Sequence, residues 1–226
     1  MTKHYVRMSG LGGQGVVTAA QILGNAAVKD GKNAVGNPFF GAEKRLAPAE
    51  SYVRISDEAI YDAGEIVYPS IIMVYHPDVI AMGKSYTMPF FAGIQQGGVI
   101  IVNSAFPMEF TPEDSESLHE FGVTVHFVPA IEISRKVTGT ELSANVAMLG
   151  ALVGLTGVVT YESLEEALKE RFSGKGKFVA SGTTAVLDDA VKKQYSKAEK
   201  LIAANSTVLK TSYDQAVASA GAGVEV

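Results

Sequence analysis

The 226-residue sequence contains no cysteine. That excludes disulfides, a thiolate nucleophile and any cysteine-held zinc or iron–sulfur cluster within this chain. No apolar run approaches the roughly 18 residues of a membrane-spanning helix. No signal-peptide apolar segment precedes the first structured residues, so a cytoplasmic protein is expected. Cations are the scarcer charge: 19 Lys and Arg against 24 Asp and Glu leave a net charge of −5. A general nucleic-acid binder is therefore not expected. The four histidines (His4, His76, His119 and His126) lack metal-ligand spacing, and Ser9 and Ser104 lack a His/Asp arrangement. No catalytic constellation is visible. With 47% hydrophobic and 19% charged residues, the chain can offset the entropy of ordering, which excludes disorder over most of it.

Residues His4 to Ser9 suit a short strand, and Lys32 to Val35 a second. Between them lie a glycine cluster and a weakly charged, Ala-rich stretch, Val16 to Val28, that suits a buried helix. Gly36 to Ala49, with its glycines and prolines, reads as a loop. Strands are expected at Glu50–Ile55, Ser70–Tyr75, Gly98–Asn103 and Thr124–Val128. Helices are expected from Thr111, with Pro112 at the first helical position, and over Ser143–Leu155, Tyr161–Phe172 and Thr184–Ala204. Such alternation makes an α/β protein, Rossmann-like, with a mainly parallel sheet and helices on both faces. Two units are expected, residues 1–173 and a C-terminal helical extension, 174–226, ending in a Gly-rich flexible tail.

Two segments carry the chemistry. Gly10, Gly12 and Gly15 match G-x-G-x-x-G between a strand and a helix. Glycine lets a ligand approach the backbone, and free N–H groups at a helix start attract phosphate. The same glycines also serve tight strand–helix packing, so both readings stand. Val16-Val17 in place of Lys-Ser/Thr excludes a Walker A loop. Asp30 has the spacing of a ribose-binding acid but precedes the second strand, where a helix-end turn is the better reading. Gln14 adds an amide at the helix mouth, and a phosphate-bearing ligand other than NAD is favoured. In the second segment, Phe39-Phe40 stand beside Lys44-Arg45, suited either to stacking and phosphate pairing or to a partner-facing loop.

Together, Gly10-Leu-Gly-Gly-Gln-Gly-Val16, Phe39-Phe-Gly-Ala-Glu-Lys-Arg45 and Ser143-Ala-Asn-Val-Ala-Met-Leu-Gly-Ala151 resemble the gamma subunit of 2-oxoacid:ferredoxin oxidoreductases. The resemblance spans about residues 3–173. It implies a complex that oxidatively decarboxylates a 2-oxoacid and transfers the acyl group to coenzyme A. Thiamine diphosphate and iron–sulfur clusters would belong to the alpha, beta and delta subunits, and electrons would leave to ferredoxin or a flavoprotein. Carried over by motif, Gly10, Gly12, Gly13, Gln14 and Gly15 would face coenzyme A, Lys44 and Arg45 would pair with its phosphates, and Asn145 would be a nearby polar contact. The sequence departs at Leu11, where the family commonly has Arg, and at Leu46, where it commonly has Gly. The alternatives are a purely structural scaffold subunit of that complex and an independent Rossmann-like nucleotide-binding protein.

Overall fold

The computed structural model describes residues 2–40, 46–173, 185–219 and 224–225. The chain opens with β1 (Lys3–Leu11), α1 (Val16–Lys29), β2 (Asn33–Phe40), β3 (Pro48–Ser56) and β4 (Ile71–Val74). A single turn, α2 (Asp78–Ala81), precedes β5 (Val99–Asn103), α3 (Pro112–Glu120) and β6 (Thr124–Val128). Helices α4 (Ala130–Thr138), α5 (Ala144–Thr156), α6 (Tyr161–Phe172) and α7 (Ala185–Ser219) follow, then a short β7 (Val224–Glu225).

Among the described residues the strands form one sheet, ordered β2-β3-β1-β4-β5-β6-β7. Its centre, β1-β4-β5-β6, is parallel as expected, and its flanks are antiparallel. The antiparallel flank arises in the segment read as a loop. There β2 continues to Phe40 and β3 starts at Pro48. Parallel neighbours need a crossover of about a dozen residues or more. The gap here is too short for one, so the two strands pair as a hairpin.

Strand alternation sorts side chains onto two faces. Val6, Met8, Val53 and Ile55 meet α1, α5 and α6 in one core. Ile72, Val74, Ile100 and Val102 meet Phe90, Phe91, Ile94 and Leu118 in the other. The second face also holds a buried polar network. Glu50 accepts from the Tyr52 hydroxyl (2.7 Å), Ser85 Oγ (2.8 Å) and the Tyr86 N–H (3.2 Å). Arg7 donates to the carbonyls of Phe90 and Ala92, both at 2.9 Å, and burial lowers its pKa. These bonds fasten segment 85–92 to the sheet.

The C-terminal extension joins the main core. Helix α7 runs well past the expected Ala204, and its Val208, Leu209 and Ala216 are buried with α5 and α6. A β-carbon on Gly150 of α5 would lie 2.5 Å from the Leu209 carbonyl oxygen, so glycine sets how closely the helices approach. Part of the expected flexible tail is thus helix, and Val224–Glu225 pair with Val125 and Thr124. The remainder, 220–223 and 226, lies outside the described residues.

Asp30 is the helix-end residue that its position implied. It follows α1 and accepts from the Thr160 N–H (2.7 Å) and hydroxyl (2.6 Å), tying α1 to the start of α6. Burial works to raise its pKa, but hydrogen bonds from Ser163 and Thr160 outweigh this and hold the carboxyl below the ordinary range. A lowered folded-state pKa stabilises above the unfolded value and is lost as pH falls through the folded one. Asp30→Ala should therefore cost about 1 kcal/mol near neutrality. In urea denaturation, that difference from wild type should vanish once acid titrates the carboxylate; a difference persisting there would contradict the assignment.

Candidate functional site

The glycine-rich segment forms the turn between β1 and α1. Its first half is committed to the protein itself. A β-carbon on Gly10 would meet Val16 Cγ2 at 2.8 Å and Tyr75 Cβ at 3.0 Å, so this glycine serves packing. The Gly12 N–H donates to the Ala47 carbonyl at 2.8 Å, and its carbonyl accepts from the Leu46 N–H at 3.4 Å. Leu46, at the position where the resemblance expects glycine, adopts a left-handed φ of 59°, a conformation that glycine reaches without strain.

The second half opens outward. Gly13 has φ 100° with nothing near its missing β-carbon, and Gly15, the residue before α1, has φ 74°. Gln14 folds back so that Oε1 accepts the Leu11 N–H at 2.8 Å, bracing the turn. Asn145, one residue into α5, lies against this turn, with Nδ2 3.4 Å from the Gly15 carbonyl oxygen. A β-carbon on Gly15 would stand 2.5 Å from that same Nδ2.

Gly13, Gln14, Gly15 and Asn145 line one cleft of about 260 Å³ together with Tyr75, His76, Asn103 and the Glu141–Leu142 turn. The structure thus brings these four expected residues together. Gly10 and Gly12 support the turn from behind, and Lys44 and Arg45 lie outside the described residues. Sequence reasoning missed Tyr75, His76 and Asn103. A usable signal existed, because Tyr75 and His76 directly follow β4 and Asn103 ends β5. Open α/β sheets place ligands beyond the carboxyl ends of their strands, where connections diverge to opposite sides. Here the divergence falls at β1, flanked by β3 and β4.

The polar groups are held in place. Asn103 Nδ2 donates to the Tyr75 carbonyl at 3.0 Å, and burial raises the Tyr75 hydroxyl pKa. His76 Nδ1 accepts the Asp78 N–H at 3.1 Å, which leaves the ring proton of a neutral imidazole on Nε2. Lys84, bonded at 3.0 Å, holds Asp78 below the usual carboxylate range despite an opposing desolvation effect.

Two helices, α1 and α5, begin at this cleft, and neither has an acidic residue in its first turn. By contrast α2, α4 and α6 each carry one there and α3 carries two. A helix start carries about half a positive charge and unpaired N–H groups. Neither start at the cleft has a first-turn acid, and the one carboxylate in the lining, Glu141, is paired with Arg135 at 2.7 Å, an arrangement that leaves room for an anion. Among the described residues that line the cleft there is no nucleophile–base pair. Among the described residues no group of three or more His, Cys, Asp or Glu is placed to hold a metal ion.

An open α/β sheet with its glycine turn at the carboxyl edge defines a Rossmann-like α/β chain. More narrowly, the chain belongs to the pyruvate ferredoxin/flavodoxin oxidoreductase family, whose model matches residues 5–188. It is 39% identical over 169 residues to the pyruvate/ketoisovalerate oxidoreductases common subunit gamma of Thermococcus kodakarensis, covering 75% of this chain and 86% of that one. It is 36% identical over 170 residues to the pyruvate synthase subunit PorC of Methanothermobacter marburgensis, covering 75% and 87%. In fold it resembles the pyruvate oxidoreductase subunit PORC of Thermotoga maritima, with TM-score 0.66 and 24% identity over 95% of this chain and 97% of that one. It also resembles the 2-oxoglutarate:ferredoxin oxidoreductase of Magnetococcus marinus, solved with 2-oxoglutarate, coenzyme A and succinyl-CoA. That TM-score is 0.67 at 19% identity, spanning 100% of this chain and 32% of the other.

The two outward glycines should respond differently to alanine. Gly13→Ala meets only the conformational penalty of a left-handed residue, about 1 kcal/mol, whereas Gly15→Ala adds a clash with Asn145 and should cost about 2–3 kcal/mol. Equilibrium denaturation of the two variants checks this, and equal losses would mean that Asn145 yields freely.

Proposed function

We propose that this chain is the gamma subunit of a 2-oxoacid:ferredoxin oxidoreductase complex and that its cleft holds the phosphate-bearing part of coenzyme A. The carrying observation is the 39% identity, over three quarters of the chain, to a gamma subunit. The two helix starts without first-turn acids support the ligand, because coenzyme A is polyanionic. Gly13 and Gly15 would let it approach the backbone, and Gln14 and Asn145 would offer amide contacts. Gly10 and Gly12 would shape the turn, and Lys44 and Arg45 would pair with its phosphates.

Residues 1–173 would form the gamma-type unit, and 174–226 an extension. Alpha, beta and delta subunits would be its partners, and ferredoxin or a flavoprotein would take the electrons through them. Decarboxylation and electron transfer would rely on thiamine diphosphate and iron–sulfur clusters in those partners, since this chain offers no thiolate to a cluster. The complex would be cytoplasmic; among the described residues no helix is long and apolar enough to cross a membrane. One observation favours the scaffold reading: Gly10 and Gly15 both sit hard against the protein's own atoms.

Kinetics of the purified complex separate the two readings. Under the coenzyme A reading, replacing both Lys44 and Arg45 by Ala raises KM for coenzyme A tenfold or more, about 1.4 kcal/mol or above, with kcat little changed. A scaffold subunit would assemble and turn over with unchanged coenzyme A dependence.

A further inference from the structure

Among the described helix starts, three carry Ser or Thr at the capping position, and one differs from the others. Thr111 and Thr160 precede α3 and α6 in extended geometry, ψ 153° and 152°. Their hydroxyls accept from the N–H groups of Asp114 and Ser163, three residues on, as helix caps do. Ser143, before α5, has φ −98° and ψ 12°, and its hydroxyl caps nothing. It donates instead to Asn205 Oδ1 of α7 at 2.6 Å. The Ser143 N–H is held in turn by Ser134 Oγ at 3.1 Å. Ser143, Ser134 and Asn205 are all buried.

The diverted hydroxyl has a consequence at the cleft. Val146 N–H, which a capping Ser143 hydroxyl would take, is shared between Asn145 Oδ1 and the Ser143 carbonyl, both at 3.0 Å. The bond to Oδ1 orients the Asn145 amide, whose Nδ2 faces the Gly15 carbonyl at the cleft wall. We infer that Asn205 is a positioning residue for the cleft: it draws the Ser143 hydroxyl away from α5, leaving Val146 N–H to fix the Asn145 amide beside Gly15. Helix α7 reaches this point because Gly150 admits it closely and because Ser212 Oγ donates to the Ala147 carbonyl at 2.7 Å. Asn205 lies beyond residue 188, where the family match ends. The positioning role rests on the coenzyme A reading only for the ligand used to test it.

The test compares Asn205→Ala, Ser143→Ala and the double variant in the assembled complex. With Asn205 gone, Ser143 can turn to the extended geometry of the other caps, take Val146 N–H and release Asn145, so KM for coenzyme A should rise about fivefold with kcat retained. The double variant has no hydroxyl to compete, so its KM should return to within about twofold of wild type although it is no more stable than the single variant. Ser143→Ala alone should also keep KM near wild type, which serves if Asn205→Ala does not fold. An Asn205 that matters only for stability predicts a double variant at least as impaired as the single one, and that result overturns the inference. An unchanged KM in Asn205→Ala overturns it too. If the wild-type complex proves independent of coenzyme A, the functional reading alone fails. The side-chain amide NMR signal of Asn145 in the full chain then decides: it should move in Asn205→Ala and return in the double variant, and an unmoved signal refutes the positioning role.

Discussion

Helix α5 has no polar face, and much of the structure follows from covering it. Its residues Asn145 through Val153 are buried without interruption. An amphipathic helix can lie on a sheet with one side in water; a helix apolar all round needs neighbours on every side. The sheet, α1, α4 and α6 supply part of that cover, and α7 supplies the rest. Gly150 and Gly154 are the means. A β-carbon on Gly154 would stand 2.8 Å from both Ala216 Cβ and the Tyr213 carbonyl oxygen, so α7 packs backbone to backbone along two turns of α5. The extension that looked like an appendage is in its second half a wall of the core.

Burying α5 also fixes where its ends lie. The sheet orders β1 and β4 side by side, and α5 begins over their carboxyl ends next to the start of α1. Two helix starts near one another repel through their partial positive charges. Asn145 mediates the junction, its Oδ1 taking a first-turn N–H of α5 while its Nδ2 turns to the Gly15 carbonyl. Position and charge at the cleft thus both descend from the need to bury an apolar helix.

The parts legible in the sequence were those set by short-range chemistry. The β1–turn–α1 unit, the central strands, the Thr111 cap and α6 each rest on a few neighbouring residues, and each lies where those residues place it. What stayed hidden depends on contacts far apart in the chain. The β2 strand beyond Val35 is stabilised by β3, whose partner pairs include Pro38 with Ser51, and a Pro-containing stretch carries no strand pattern of its own. Helix α4 follows directly from β6, and Ala130-Ile131-Glu132-Ile133 alternates as a strand would; only Pro129 and the tertiary setting make it helical. The length of α7 was hidden because its Ser and Thr residues lower helix propensity, while burial against α5 overrides it. For the site, Gly13, Gln14, Gly15 and Asn145 were legible by motif, whereas Tyr75, His76 and Asn103 needed the strand order.

At the glycine turn, tight packing and an open backbone fall on different positions of one motif. Gly10 is required where β1, α1 and Tyr75 crowd together, and the Gly12 backbone ties the turn to Leu46 and Ala47. Those two contacts leave Gly13 and Gly15 with positive φ and the α1 start turned to the cleft. A pattern of glycines matched as a unit is therefore a sequence of different demands, steric at Gly10, conformational at Gly13 and both at Gly15. The early residues stiffen the backbone on which the later ones present their N–H groups. For the anion proposed to bind here, such a turn would need no reorganisation, because its strain is met by folding rather than by binding.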